Sequence, residues 1–261
     1  MKSILVFDIE TIPDIDGLRK LNSFDSSLSD DQLLDLVKQD RIKKSGHDFL
    51  PLHLHRIISI SCLFRNNDVI SIKTLGKEDD SEQSILLLFF KIINRYIPRL
   101  VTWNGSGFDL PVIHYRSLIN KVISGKYWDL GEYSREFKFN NYINRYHNRH
   151  VDLMDVLSKY NARASVPMDE LAKLCDFPGK IGMDGSMVWE AWCSGDIKSI
   201  RSYCETDVIN TWLLYCRFCL FEGSLNFNSY TKEVSFVKNY ISNLEDDHWV
   251  KFIASWKDVV E

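Results

Sequence analysis

The amino-acid sequence predicts an α/β fold in which helices flank one mixed sheet. Two observations support this fold class. Along residues 3–123, three strand-like segments precede a helix, a fourth strand and a second helix, which is the element order of an α/β core. The 261 residues are 45% hydrophobic with only 12 Gly and 6 Pro, which suffices for a large packed core. We therefore expect one domain over residues 1–261, with an insertion.

The first strand, predicted at residues 3–8, precedes a segment that interrupts the core elements. Residues 14–52 are interpreted as an insertion that carries one or two helices. One helix is predicted at 29–44, where apolar residues recur at helical spacing and Ser29 and Gln32 form a capping box.

A β-hairpin is predicted next, followed by a helix, a strand and another helix. The segments 54–64 and 68–76 are rich in Ile and Val, and the turn signal RNND separates them. An apolar-rich helix is predicted at 81–97, a short buried strand at 99–103 and a second helix at 108–123.

The second half of the chain is predicted to be mainly helical, after a polar and aromatic stretch at 124–150 with little periodicity. The predicted helices are 152–160, 167–177, 186–193, the long helix 196–221 and the amphipathic tail 231–260. Residues 225–261 are expected to form a helical C-terminal extension.

Charge and cysteine content argue against several classes of protein. The formal net charge of -4 argues against binding nucleic acid by bulk positive charge, although a local basic patch is compatible with it. The six cysteines lack the paired spacing of a zinc site. Cys216 and Cys219 lie in an apolar helical run, where we interpret them as core thiols rather than metal or redox residues.

Targeting signals are not expected in this sequence. Residues 1–8 lead directly into a strand without the pattern of a signal peptide. The chain has no apolar run of about 18 residues, so we expect no membrane span. These features predict a cytoplasmic protein with reduced thiols.

Asp8 and Glu10 are unusual because they stand in the apolar strand segment ILVFDIETIPD. Alternate side chains of a strand point to the same face, so the two carboxylates would stand side by side. Like charges at that distance repel, and burying them is unfavourable unless a positive charge compensates. The pair therefore predicts a positive partner contributed from elsewhere.

Two further acids occur where a strand or helix would present them to a site. Asp109 opens a helix after a short strand, although the helix macrodipole alone favours an aspartate there. Tyr203 and Asp207 are four residues apart and share one face of the long helix. A solvated helix edge is the alternative interpretation of Asp207.

Together, the four carboxylates favour a metal site. Hard cations such as Mg²⁺ and Mn²⁺ take oxygen ligands. Two such ions held about 4 Å apart activate a water and stabilise the leaving oxygen of a phosphodiester. Asp8, on a central strand, is placed to bridge both ions.

Three motifs resemble those of the DEDD 3′–5′ exonucleases: FDIET with Asp8 and Glu10, NGSGFD with Asp109, and YCETD with Tyr203 and Asp207. The tyrosine is typical of the DEDDy branch. The order and spacing are similar to the proofreading exonuclease domain of family B DNA polymerases. They are more similar to a stand-alone bacterial family described as predicted polymerase-B-like 3′–5′ exonucleases. The phrases HVDLMD, PGK and MDGSMVW also resemble that family.

The resemblance implies an RNase H-like fold, that is, a mixed five-stranded sheet flanked by helices. A helical insertion would follow the first strand, and the C-terminus would be helical. The implied activity is hydrolysis of nucleotides from a 3′ end with two divalent cations, Mg²⁺ or Mn²⁺, and release of nucleoside 5′-monophosphates.

The resemblance also implies roles for single residues. Asp8, Glu10 and Asp207 would ligate the ion that activates water. Asp8 and Asp109 would hold the ion near the leaving 3′ oxygen, partly through water. Tyr203 would orient the attacking water, because a phenol with a pKa of about 10 is a poor general base.

Further residues are candidates for substrate contact. Thr11 resembles the position whose backbone or hydroxyl contacts the terminal nucleotide. Phe108 is a further candidate for substrate binding. Asn104 would bond the substrate or brace its own loop. Lys180 would contact a phosphate, or it is an exposed loop lysine. For Asp152, helix capping suffices, with a supporting role behind the metal ligands as the alternative.

The segment 134–150 combines basic and aromatic side chains. Basic groups meet phosphates and aromatic rings stack on bases, so Arg135, Lys138, Arg145 and Arg149 are candidates for backbone contact. The alternative is a solvated hairpin whose aromatic side chains pack inward.

The leading hypothesis is a metal-dependent 3′–5′ exonuclease that acts on 3′ ends of single-stranded DNA. A 3′–5′ exoribonuclease of the same fold is the first alternative, since discrimination depends on the pocket around the 2′ position. A catalytically silent nucleic-acid-binding module is the alternative of a different class. Nucleic-acid 3′ ends are the expected partners, and the sequence identifies no protein partner.

Overall fold

The computed structural model describes residues 3–22, 24 and 27–257 of the chain. Residues 1, 2, 23, 25, 26 and 258–261 lie outside the described residues. Parts of the insertion at 14–52 and of the tail at 231–260 therefore lie outside them too.

The described strands form one mixed five-stranded sheet flanked by helices, which confirms the predicted α/β, RNase H-like fold class. The strands are β1 (Ile4–Pro13), β2 (His55–Asn66), β3 (Val69–Thr74), β4 (Arg99–Thr102) and β5 (His150–Asp152). Their order in the sheet is β3-β2-β1-β4-β5. The pairs β1–β2 and β2–β3 are antiparallel, and β1–β4 and β4–β5 are parallel.

The central strand β1 extends beyond the predicted end at Asp8. It stays paired with β2 as far as Pro13, which lies opposite His55. A β-bulge interrupts the pairing between Glu10 and Thr11. Cross-strand pairing with β2 keeps the segment after Asp8 extended.

The fifth strand, β5, was not located in the sequence. It has only three residues and pairs with β4, with Val151 opposite Val101. Its last residue, Asp152, is also the N-cap of the following helix and accepts hydrogen bonds from the Met154 and Asp155 N–H groups. The sequence signal at this point is therefore that of a helix start.

The described helices follow the predicted positions with shifted ends. They are α1 (Ile15–Leu21), α2 (Asp30–Ser45), α3 (Glu82–Tyr96), α4 (Asp109–Ile119), α5 (Leu153–Leu157), α6 (Met168–Leu174), α7 (Val188–Cys193), α8 (Ile197–Phe221), α9 (Phe227–Ser242) and α10 (Asp247–Ser255). The long helix predicted at 196–221 is α8. The tail is divided into α9 and α10, with α9 beginning before residue 231.

The helical insertion after β1 contains α1 and α2. The capping box predicted for α2 is confirmed, because the Ser29 side chain accepts from the Gln32 N–H and the Gln32 side chain accepts from the Ser29 N–H. Buried leucines join the two helices to the chain before β2 in a small separate core; they are Leu18, Leu33, Leu34, Leu50 and Leu54.

Two apolar layers hold the sheet. Helix α8 covers one face, where Ile4 and Val6 of β1 belong to the same buried cluster as Val208. Helices α3 and α4 cover the other face, where Leu5 and Phe7 are buried. This alternation follows from the two-residue repeat of a strand. Within the part of the chain that the structure describes, no helix is long and apolar enough to cross a membrane.

Candidate active site

Asp8 and Glu10 lie on the face of β1 that α8 covers. Even-numbered neighbours on this strand, Ile4 and Ile12, pack under helices on that same face. The predicted side-by-side arrangement of the two carboxylates is therefore present in the structure. Glu10 is buried and Asp8 is half-buried. On a face where the strand otherwise packs apolar residues against helices, these two positions hold acidic side chains instead.

Asp109 reaches the same strand from the start of α4. Its Oδ1 accepts a hydrogen bond from the Ile9 N–H at 3.2 Å, and the side chain is buried. The described pairing of β1 with β4 ends at Val6 and Val101, three residues before Ile9. The carboxylate thus takes a backbone donor that no neighbouring strand uses, and this bond holds Asp109 beside Asp8.

The loop before Asp109 is held by Asp152. The Asp152 carboxylate accepts the N–H groups of Asn104 at 2.9 Å and Ser106 at 2.7 Å. Asn104 has a left-handed backbone with φ of 64°. At Gly105, an added Cβ would lie 2.3 Å from Thr102 Oγ1, so only glycine fits. Asp152 therefore does more than cap α5, because it fixes the loop that carries Asp109.

Helix α8 contributes Tyr203, Cys204 and Asp207. All three are buried. Cys204 Sγ lies 3.4 Å from the Asp8 carbonyl oxygen and 3.6 Å from Asp8 Oδ2, so the thiol donates to Asp8. Asp207 Oδ1 is buried and has no hydrogen-bond partner among the described residues. Buried polar atoms in proteins are almost always satisfied, so this oxygen requires a ligand.

Lys180 is the cation that faces these acids. Its Nζ donates to the Tyr203 hydroxyl at 2.5 Å and lies 3.4 Å from Asp207 Oδ2. The loop that carries it is fixed at two points. The Asn210 side chain bonds both the N–H and the carbonyl of Gly179, and Asp169 accepts the Lys180 N–H at 2.7 Å.

Burial and mutual repulsion perturb the acids strongly. Burial, and then the charges of Asp109, Glu10 and Asp207, raise the pKa of Asp8 well above its usual value. Burial and the Asp207 charge do the same to the pKa of Glu10. Burial raises the pKa of Asp109 to about 7 and that of Asp207 to about 6. The Lys180 charge lowers the pKa of Asp8, Glu10 and Asp207, but it does not cancel the effect of burial.

Tyr203 remains a neutral phenol in this environment. Burial, and then the charges of Asp207, Glu10 and Asp8, raise the pKa of its hydroxyl above the ordinary value. A phenol that resists ionisation can hold a water by hydrogen bonding but is a poor proton acceptor. The structure thus fits a positioning role for this side chain.

Six of the predicted site residues line a cleft of about 690 Å³, whereas Glu10 and Tyr203 are not part of its lining. The six are Asp8, Asn104, Phe108, Asp109, Lys180 and Asp207. The donors fit hard divalent cations, since they are carboxylate oxygens with raised pKa values and one of them is unpartnered. Ligand atoms of Asp8, Glu10 and Cys204 lie within 4.8 Å of one another. Burial and the acids keep Cys204 a thiol, because they raise its pKa well above the usual value.

An aromatic cluster adjoins Thr11 and Phe108 at the edge of the site. Thr11 Oγ1 lies 3.1 Å from His55 Nδ1. The His55 ring packs against Phe49 and Phe108, with centroids 4.9 and 5.2 Å away. Phe49 follows α2 in the insertion and is 50% exposed. The insertion therefore supplies an exposed ring beside two predicted substrate contacts.

The basic and aromatic segment at 134–150 divides into two groups. Arg135, Lys138 and Arg145 are exposed; the first two lie on a short 3₁₀ helix, and Arg145 pairs with Asp155 at 2.9 Å. Arg149 differs from the expectation because it is buried.

The surroundings of Arg149 explain its burial. Its Nε donates to the Asn140 carbonyl at 2.7 Å, and its guanidinium lies 4.4 Å from the Phe137 ring and 5.5 Å from the Tyr142 ring. These contacts favour inward packing of Arg149 over the predicted contact with a phosphate. Arg135, Lys138 and Arg145 stay predictions.

Several residues of the site were not found from the sequence. Cys204 carried one signal, its place inside the YCETD motif next to Tyr203. Asn210 and Asp169 carried no signal. Their partners, Gly179 and Lys180, are distant from them in the chain and lie in what reads as an ordinary loop. Phe49 lies between α2 and β2, in the insertion, and carried no signal of its own.

Comparison with known proteins gives one family. A family model described as a predicted 3′–5′ exonuclease related to the exonuclease domain of PolB matches residues 47–256. The matched range contains Asp109, Tyr203 and Asp207 and begins after Asp8 and Glu10. No curated protein matches the chain.

Proposed function

Since the chain belongs to the family of predicted 3′–5′ exonucleases related to the exonuclease domain of PolB, we propose that it hydrolyses single-stranded DNA from the 3′ end. In this proposal the enzyme uses two divalent cations, Mg²⁺ or Mn²⁺. The products are nucleoside 5′-monophosphates and a DNA strand shortened by one nucleotide at each step.

One observation carries the proposal: Asp8, Asp109 and Asp207 from three distant segments line one cleft, Glu10 lies beside Asp8, and Asp207 Oδ1 is buried without a hydrogen-bond partner among the described residues. An isolated buried carboxylate is costly, and its raised pKa is the expected consequence. Structural reasons alone would not retain this arrangement, because apolar residues would pack the same space more favourably. Divalent cations would compensate the charges.

The acids divide into two ligand sets. Asp8, Glu10 and Asp207 would hold one cation, and Asp8 with Asp109 would hold the other. When bound, the two cations activate the attacking water and stabilise the negative charge that develops on the leaving 3′ oxygen.

The chain's own side chains complete the chemistry. The Tyr203 phenol orients the attacking water, and Lys180 holds the phenol through its 2.5 Å hydrogen bond. Cys204 donates to Asp8 and fixes its carboxylate. Asp152 holds the loop with Asn104. Positioning of this kind contributes to the rate because the reacting groups meet in a productive geometry.

The substrate end would enter along the edge formed by Thr11 and Phe108. The Thr11 hydroxyl offers a hydrogen bond to the terminal sugar, and the Phe108 ring lines the cleft next to Asp109. Single-stranded DNA fits a chain with a formal net charge of -4, because aromatic contact with unpaired bases depends less on bulk positive charge.

The test is shortening of a 5′-labelled DNA oligonucleotide with Mg²⁺ or Mn²⁺, and its loss with EDTA. Asp8→Asn and Asp207→Asn should abolish shortening while circular dichroism stays native. Asp68→Asn, at an exposed position of the β2–β3 turn, is the matched control and should keep the wild-type rate.

Parallel substrates separate the alternatives. Faster shortening of an RNA oligonucleotide than of the DNA of the same sequence would replace the DNA assignment by an exoribonuclease. Tight binding of a 3′ end without hydrolysis under either metal would favour a catalytically silent binding module. Identification of the released product as nucleoside 5′-monophosphate establishes that the bond between phosphorus and the 3′ oxygen is the one cleaved.

A further inference from the structure

A second cavity of about 690 Å³ adjoins the acidic cleft. Asn104, Met154 and Ser165 line both of them, so the two spaces are continuous around the loop before Asp109. Its volume lies within the range of about 300–1,000 Å³ that is typical of ligand pockets. None of the proposed metal ligands lines it.

Two buried tyrosines contribute a rigid part of the lining. The rings of Tyr127 and Tyr142 stack with centroids 5.3 Å apart and an interplanar angle of 12°. Tyr142 OH donates to the Pro98 carbonyl at 2.7 Å, and Tyr127 OH lies 3.0 Å from His114 Nε2. These bonds hold both rings, so the cavity does not depend on mobile side chains for its shape.

Two other aromatic residues of the lining are open to solvent. Trp128 is 50% exposed and packs its ring 4.9 Å from that of His114. Tyr160 is partly exposed, and the Arg145 guanidinium lies 4.7 Å from its ring. Unpaired bases stack on exposed aromatic rings of this kind and on arginine side chains that lie over a ring.

The cavity carries little net charge. Arg145 pairs with Asp155, which also lines it. Burial lowers the pKa of His114 and of His150 to about 4, so both rings are neutral at pH 7. A nearly neutral aromatic cavity suits bases better than phosphates, and this agrees with the chain's slightly acidic charge.

We propose that this cavity binds the unpaired bases on the 5′ side of the scissile phosphodiester, with Trp128 and Tyr160 as stacking surfaces. The inference rests on the proposed exonuclease function, because that function places the 3′ terminal nucleotide in the adjoining acidic cleft. Bases in a duplex are paired and stacked on one another, so they cannot enter a side cavity without unpairing. The cavity therefore selects single-stranded 3′ ends.

The inference is tested by equilibrium binding to oligothymidylates with phosphorothioate linkages, which resist hydrolysis. Fluorescence anisotropy gives the Kd for a dinucleotide and for a strand of about eight nucleotides, a length within the span that single-strand binding folds cover. For the longer strand, Trp128→Ala should raise the Kd about tenfold, as expected for loss of one stacked base. Trp128→Phe should restore most of the affinity, which a purely structural role of the indole would not predict.

Controls address folding and location. Phe227→Ala removes an exposed ring at the start of α9, outside the cavity, and should leave the Kd for the longer strand unchanged. The dinucleotide reaches only the acidic cleft, so its Kd should differ by less than twofold between the wild type and Trp128→Ala. A blunt duplex should bind more weakly than the single strand.

Two results would overturn the inference: equal Kd values of wild type and Trp128→Ala for the longer strand, or duplex binding as tight as single-strand binding. Failure of the proposed function gives a different result. In that case the longer strand still binds through Trp128, but an unmodified strand is never shortened with Mg²⁺ or Mn²⁺.

Discussion

The Lys180 ammonium nitrogen lies 2.5 Å from the Tyr203 hydroxyl oxygen and 3.4 Å from a carboxylate oxygen of Asp207. One positive charge therefore faces a group of four acids, and it lowers the pKa of Asp8, Glu10 and Asp207. It compensates only part of the negative charge. The arrangement leaves room for added cations and gives the tyrosine a fixed orientation.

Removal of Lys180 should destabilise the metal-free protein at neutral and alkaline pH. Lys180→Ala leaves the Tyr203 hydroxyl and the buried acids without their cationic partner, a loss of about 1–3 kcal/mol. At roughly 2–4 °C per kcal/mol, the Tm in EDTA should fall by several degrees at pH 8. Mg²⁺ should raise the Tm of Lys180→Ala by more than it raises that of the wild type, as scanning calorimetry can measure.

The matched control is Lys173→Ala, which removes an exposed ion pair with Asp169 at 2.8 Å. Exposed pairs contribute about 0–1 kcal/mol, so its Tm in EDTA should change little. An equal loss of Tm in the two variants would mean that Lys180 has no special relationship to the acids.

Tyr203→Phe should keep the fold and lose most of the rate. The ring packing of Tyr203 in the cluster with Ile12 and Val188 is retained, whereas the hydroxyl that orients water is removed. We expect kcat to fall roughly 10- to 100-fold with KM nearly unchanged, since misplacement of a reacting group by about 1 Å has an effect of this size.

The pH dependence of kcat distinguishes this role of Tyr203 from general base catalysis. Because its pKa is raised, the wild-type rate should have no titration step that Tyr203→Phe removes. A step in the wild-type profile that disappears in Tyr203→Phe would assign proton transfer to the phenol instead.

Asp109→Asn should stabilise the metal-free protein, and more so as the pH rises. Burial raises the pKa of the Asp109 carboxyl in the folded protein to about 7, above its ordinary value of 3.8. The wild type therefore has the full stability contribution of the protonated side chain only below pH 3.8 and loses it as the pH rises through about 7. Asparagine cannot ionise, and its carbonyl oxygen can still accept from the Ile9 N–H.

Chemical unfolding in EDTA between pH 5 and pH 8 measures this difference. The advantage of Asp109→Asn should grow to the order of 2–4 kcal/mol at pH 8, following about 1.4 kcal/mol per pKa unit. Mg²⁺ should remove the advantage at pH 8, because the cation then compensates the wild-type carboxylate. A variant that is less stable than wild type at pH 8 in EDTA would contradict the raised pKa.

Much of the fold could be predicted because its signals are local. The two-residue repeat placed Asp8 and Glu10 on one face, and the capping box at Ser29 marked the start of α2. The fifth strand was not predicted because only its pairing with β4 defines its three residues. In addition, Asp152 at its end gives the sequence signal of a helix cap. The extension of β1 to Pro13 likewise depends on pairing with β2, which the residues of β1 alone do not reveal.

The acids of the candidate site could be predicted from the sequence, but most of the contacts that support them could not. Carboxylates in an apolar strand are conspicuous, whereas the meeting of Lys180 with Tyr203 depends on a loop held by Asn210. The same limit applies to Arg149, whose charge predicts phosphate contact although the side chain is buried against the Phe137 and Tyr142 rings. Spatial neighbours far apart in the chain decide such roles.

Phe49→Ala should weaken substrate binding without changing the fold. The Phe49 ring is half-exposed and packs against His55 and Phe108, next to the proposed path of the terminal nucleotide. Loss of one stacking ring is worth about 1–3 kcal/mol, so KM for a single-stranded substrate should rise at least fivefold with kcat nearly unchanged. Phe49→Tyr should keep the wild-type KM because it preserves the ring. A fall in kcat at constant KM would instead place Phe49 among the residues that support the acids, and the insertion would then serve catalysis rather than binding.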